Sequence, residues 1–181
     1  YTFGGHQLQD RHLSSRKRSI RLDVNFDWHQ HGVPQGIKAF HLIRDPRDVL
    51  ISDYYSAKYS HWNNRSRNER LLHKFLNDND MEKGLLYLLA RSPYYQQISG
   101  WKLNQYESHG VLDIKFEDLV KDPWRGYNQI LAHLSIELEQ HDLQEIASQC
   151  DFKRLSGGRE RGQEDIQSHF RKGVPNDWVY Y

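Results

Sequence analysis

Apolar positions along the chain fall into blocks with different periods. Residues 37 to 43, Ile-Lys-Ala-Phe-His-Leu-Ile, are nearly continuous in apolar side chains and are fenced by Gly36 and by Asp45-Pro46. A short run of that kind predicts a strand buried on both faces of a parallel sheet. A helix start follows at once, with Asp45 as N-cap, Pro46 at the first helical position and Asp48 in the first turn against the positive end of the dipole. That helix is predicted to run to about Tyr59. The cap-then-proline device recurs at Ser92-Pro93 and Asp122-Pro123. Leu71, Leu72 and Phe75, and then Leu85, Leu86 and Leu89, sit at helical spacing and predict an amphipathic pair over 66–77 and 80–91. Val111 to Phe116 predicts a second strand, which Glu117-Asp118-Leu119 closes before helices over 123–134 and 139–149. Strand, helices, strand, helix is the order of an α/β fold on a parallel sheet.

The flanks are less regular. Residues 1 to 36 are polar apart from Ile20-Arg21-Leu22-Asp23-Val24, which alternates as a short strand does. Residues 155 to 177 are rich in glycine and charge and read as a loop, and the stretch from Gly157 to Asn176, with few apolar contacts to hold it, is expected to order only when a ligand arrives.

At 181 residues the chain has the size of one domain, expected over residues 1–181. Twenty-five Lys and Arg against 24 Asp and Glu leave a net charge of +1, which excludes the broad cationic field of a nucleic-acid binder; the cluster Arg16-Lys17-Arg18 does not supply one. Any anion site must therefore be local. An aromatic content of 13% is too high for a disordered chain. The single cysteine, Cys150, excludes an internal disulfide and a Cys-rich zinc site, and it fits a reducing compartment, so a cytoplasmic location is expected. No apolar run approaches the roughly 18 residues of a membrane span. The chain begins at Tyr1 without Met and ends at Tyr181 in mid-pattern, as a piece of a longer protein would.

Chemistry concentrates at two places. Arg44 stands at the carboxyl end of the first strand, where open parallel sheets bind ligands and where a helix N-terminus offers unpaired N–H groups to an anion. Ser52 lies two turns into that helix, and an arginine fork with a hydroxyl suits a phosphate. From the residues alone, the alternative is that Arg44 pairs with Asp48 and Ser52 faces solvent. The second place is Arg171-Lys172-Gly173 with Asp177-Trp178, downstream of the basic loop Gly157-Gly158-Arg159-Glu160-Arg161-Gly162. Adjacent cations before a glycine let side chains and backbone converge on one phosphate, and Trp178 offers a ring to a base or to the core.

Taken together, Arg44-x-Pro46-x-Asp48-x-x-x-Ser52, then Glu117-Asp118-Leu119-x-x-Asp122-Pro123, then Arg171-Lys172-Gly173-x-x-x-Asp177-Trp178 resembles the sulfotransferases that use 3′-phosphoadenosine 5′-phosphosulfate (PAPS), over residues 37 to 178. The resemblance implies a P-loop-kinase-like parallel sheet wrapped by helices. It implies that Arg44 and Ser52 hold the 3′-phosphate and that Arg171, Lys172 and Gly173 close over it. It also implies sulfuryl transfer from PAPS to a hydroxyl or amine of a small-molecule or glycan acceptor, leaving PAP, with no metal. In this family a base stands at a strand end upstream of the Arg-x-Pro motif; Asp23 has that position, and His29 and His31 are the alternatives.

Three features depart from the pattern. Asn176 replaces the last glycine of Arg-Lys-Gly-x-x-Gly, and Asn tolerates the left-handed backbone that the turn needs. Phe116 stands where many members carry a tyrosine, so it can pack on adenine without donating a hydrogen bond. The Lys-Ser-Gly-Thr-Thr-like turn that wraps the 5′-phosphosulfate is absent from the sequence and is expected upstream of Tyr1. Residues 1–181 by themselves are accordingly expected to bind PAP weakly and to transfer no sulfate, with activity in the protein carrying its upstream segment. The competing reading is a non-catalytic nucleotide- or polyanion-binding module that keeps only the 3′-phosphate pocket.

Overall fold

The computed structural model describes residues 36, 38–60, 66–91, 95 and 107–181. Chain contacts separate Tyr1–Gly32 from Val33–Tyr181, and everything described below belongs to the second unit. The strand-like run at 20–24 and the Ser92-Pro93 start lie outside the described residues.

Strand β1 (Ala39–Ile43) pairs in parallel with β2 (Val111–Lys115), Ala39 opposite Val111 and Ile43 opposite Lys115. The parallel pairing agrees with the α/β expectation. Burial on both faces of β1 does not hold among the described residues: Ala39, His41 and Ile43 are half-buried, while Phe40 and Leu42 are 39% and 47% exposed. A continuous apolar run reports the capacity for two covered faces, and only one of them is covered here by described residues.

Helix α1 (Pro46–Tyr55) starts as the sequence predicts. The Asp45 carboxylate accepts the Arg47 N–H at 2.8 Å, and Pro46 occupies the first turn, where its missing donor costs nothing. The helix continues through Ser56–Ser60 as a π-helical turn. Helices α2 (Arg67–Asp78) and α3 (Met81–Arg91) are the predicted amphipathic pair. A capping box opens α2: Glu69 N–H donates to Ser66 Oγ at 3.3 Å and Ser66 N–H to Glu69 Oε2 at 2.7 Å. Tyr54, Ala57, Leu76 and Leu88 form the buried cluster where α1 and its π-turn meet α2 and α3. Packing is close enough at Gly84 that a Cβ would stand 2.6 Å from Tyr54 Cε2.

Strand β2 ends one residue before the sequence predicts, because Phe116 opens a short helix, α4 (Phe116–Lys121), with Glu117 and Asp118 in its first turn. Helix α5 (Pro123–Leu134) begins at Asp122, whose carboxylate accepts the Arg125 N–H at 3.1 Å. At the far end of α5, His133 Nε2 lies 2.9 Å from the carbonyls of both Ala39 and Gly110, joining the helix to the start of the two strands. Helices α6 (Gln140–Gln149) and α7 (Phe152–Leu155) follow, and then a 3-10 turn at Asp177–Tyr180.

Candidate functional site

Two segments far apart in sequence make the site. Helical spacing puts Arg44, Asp48 and Ser52 on one side of α1 and its approach, with Arg44 on the rim left by β1. Asp48 is 1% exposed, and its carboxylate accepts the backbone N–H of Asn176 at 2.6 Å and of Trp178 at 3.0 Å. A side chain read as a helix-dipole partner thus also anchors the C-terminal turn. Arg44 Nε lies 3.9 Å from Asp48 Oδ2, its guanidinium stacks 4.9 Å from the Phe116 ring centre, and the buried Nε has no hydrogen-bond partner among the described residues. Burial pulls the Arg44 pKa below its ordinary value, with Asp48 opposing.

The C-terminal segment is held from within. Arg171 is 8% exposed; it donates to Glu164, to Asp177 and, at 2.9 Å, to the Tyr181 hydroxyl, and it lies 4.5 Å over the Tyr55 ring. Lys172 also donates to Asp177. Burial of the Asp177 carboxyl raises its pKa, but the bonds from Lys172 and Arg171 outweigh that and leave it below the ordinary carboxylate range. Gly173 has φ 69°, and a Cβ there would stand 2.5 Å from the Phe152 ring, so both backbone and space require glycine. Asn176 adopts φ 59°, the left-handed geometry expected of the residue replacing the motif's last glycine. The Arg47 guanidinium covers the Trp178 ring at 3.6 Å.

A cavity of about 230 Å³ collects these parts, lined by Arg44, Ser52, Phe116, Phe152, Arg161, His169, Arg171, Lys172 and Gly173. All of Arg44, Ser52, Arg171, Lys172 and Gly173 are therefore brought together, although well over a hundred positions separate the first from the last. The Arg44–Asp48 contact and the cavity position of Arg44 coexist rather than exclude each other, and Ser52 faces the cavity. A second cavity of about 420 Å³ lies at the carboxyl ends of both strands and shares Arg44 with the first; Lys115, Glu117 and Asn176 line it too. Asp23, His29 and His31 lie outside the described residues.

Sequence reasoning placed Arg161 only in a basic loop upstream of the cations, and it missed Phe152 and the internal order of that loop. Arg159 donates to the carbonyls of Ser156, Gln163, Phe170 and Arg171, and Lys153 pairs with Glu160. The segment is poor in apolar contacts, as its composition requires, yet it is tied by arginine-to-carbonyl bonds that no apolar pattern reports.

The profile of the sulfotransferase domain matches residues 29–181. This chain belongs to the sulfotransferase family. Among curated relatives, it is 24% identical over 171 residues to cytosolic sulfotransferase 11 of Arabidopsis thaliana, covering 84% of this chain and 47% of the relative. It is 28% identical over 150 residues to sulfotransferase 2A2 of Rattus norvegicus, covering 78% and 49%. A mouse sulfotransferase whose crystal structure was solved in complex with PAP superposes with a TM-score of 0.53 at 19% identity, over 80% of this chain and 52% of that one. The shared fold is the P-loop-like α/β fold of sulfotransferases. The chain spans about half the length of the curated relatives it matches.

Proposed function

We propose that this sulfotransferase chain carries the 3′-phosphate half of a PAPS site and serves an enzyme that transfers a sulfuryl group from PAPS to a hydroxyl or amine acceptor. The observation carrying the reading is the convergence of Arg44, Ser52 and Arg171-Lys172-Gly173 on one cavity. The residues fit a phosphate end: Arg44 Nε is a buried donor without a described acceptor, and Ser52 adds a hydroxyl. Phe116 and Phe152 supply rings on which a nucleoside can pack. PAPS, when bound, supplies the sulfuryl group and a phosphate leaving group.

This chain's residues orient the nucleotide through its 3′-phosphate, and Asp23, or else His29 or His31, takes the proton of the acceptor. Acceptors are small molecules or glycans on this reading. Calorimetry with PAP and with adenosine 5′-phosphate tests the reading: the protein binds PAP more tightly because only PAP carries the 3′-phosphate. Equal affinities overturn it. Labelled PAPS given to the protein carrying its upstream segment then separates enzyme from module, since a module binds PAP and labels no acceptor.

A further inference from the structure

The backbone of residues 170–174 is oriented in a way that side-chain identity alone does not produce. The carbonyls of Phe170, Arg171, Lys172 and Gly173 are all engaged, and all by the segment 159–165. Arg159 donates to Phe170 O at 2.7 Å and Arg171 O at 2.8 Å, and Asp165 N–H adds a bond to Arg171 O at 2.9 Å. Gly162 N–H reaches Lys172 O at 2.8 Å, and Arg161 reaches Gly173 O at 2.6 Å. In a trans peptide the carbonyl and the following N–H point in opposite directions, and the described residues contain no cis bond. Drawing those carbonyls to one side therefore turns the N–H groups of Arg171, Lys172, Gly173 and Val174 to the other. None of these N–H groups has a hydrogen-bond partner among the described residues, and all four residues line the cavity. Successive unpaired N–H groups on a concave surface form an anion cradle.

We infer that Arg159 is a positioning residue that sets this cradle. It does not line the cavity, and its nitrogens donate to backbone carbonyls: Nε to Ser156 O at 3.3 Å, Nη1 to Gln163 O at 3.0 Å and to Arg171 O, and Nη2 to Phe170 O, with the Asp165 carboxylate 4.0 Å from Nη2. The side chain is only 21% exposed. A planar fork with donors in fixed directions can bridge several carbonyls, and a lysine ammonium at the same place cannot. Pre-orientation matters because N–H groups already turned toward the anion lose little entropy on binding. The inference rests on the proposed 3′-phosphate reading of the cavity.

The test compares wild type, Arg159→Lys and Arg159→Ala by calorimetry with PAP and with adenosine 5′-phosphate, alongside thermal melting. Wild type prefers PAP. Arg159→Lys, which keeps charge and bulk, is expected to melt cooperatively and to bind adenosine 5′-phosphate as wild type does, while its PAP affinity drops on the order of 10- to 100-fold. Millimolar guanidinium is expected to restore part of the PAP affinity of Arg159→Ala. Undiminished PAP preference in Arg159→Lys overturns the inference. So does an equal loss for both nucleotides, the mark of a merely structural arginine. A wild-type protein without PAP preference is a different failure, visible before any substitution; it removes the 3′-phosphate reading, and this inference falls with it.

Discussion

Arg44 sits where burial and charge pull against each other. Its guanidinium is largely withdrawn from water, only loosely paired with Asp48 at 3.9 Å, and has one nitrogen without a described partner. A group in that state gains from an incoming anion, since a charge-assisted bond contributes roughly 1.5 to 3 kcal/mol. Arg44→Ala is therefore expected to weaken PAP binding on the order of 10- to 150-fold, read by calorimetry. Asp177 shows the opposite condition, a buried carboxylate already satisfied by Arg171 and Lys172. Its folded pKa lies below the ordinary value of 3.8, so its contribution to stability is present above that pH and is lost as pH falls through the depressed value. Melting curves between pH 7 and pH 2 should show wild type losing stability on acidification more steeply than Asp177→Asn, which starts less stable at neutral pH.

At the scale of elements, the α1–α2–α3 cluster and the C-terminal loop are held by different physics. Leu76 is fully buried between helices, and truncating it leaves a cavity that close-packed neighbours such as Tyr54 cannot fill. Leu76→Ala is expected to cost about 2 to 5 kcal/mol in chemical denaturation. The loop after α7 has few apolar contacts and is ordered by polar stitches instead. Hydrogen exchange distinguishes this from a loop that orders only on binding: the amides of Gly162 and Asp165, bonded to Lys172 O and Arg171 O, are expected to be protected without ligand. Fast exchange at both positions would show the stitches to be absent in solution.

Across the whole described unit, Asp48 joins the strand–helix rim to the C-terminal turn, 128 and 130 residues from the amides that it accepts. Asp48→Ala leaves two backbone donors without their acceptor and removes the negative charge beside Arg44. It is expected to lower stability by about 3 kcal/mol and to weaken PAP binding as well, because both halves of the cavity depend on it. Denaturant titration and calorimetry on one preparation check both effects, and unchanged affinity would mean that the halves are held together elsewhere.

Much of this organisation is local and was legible without coordinates. Asp45-Pro46 and Asp122-Pro123 announce helices because a side-chain cap and a fixed φ act within a few residues. The leucine spacing of α2 and α3 reflects one face turned to a core. Asn176 takes the left-handed turn because its own backbone preference allows it. Arg44, Ser52 and Arg171-Lys172-Gly173 were identifiable as a set through family resemblance, and their shared cavity was not. Whether both faces of β1 are covered, that Asp48 anchors residues 176–178, and that Arg159 turns the backbone of residues 170–174 were decided by tertiary structure. A polar side chain that seeks a distant carbonyl or amide leaves no periodicity in the sequence, and its partner is chosen only when packing brings the two segments together.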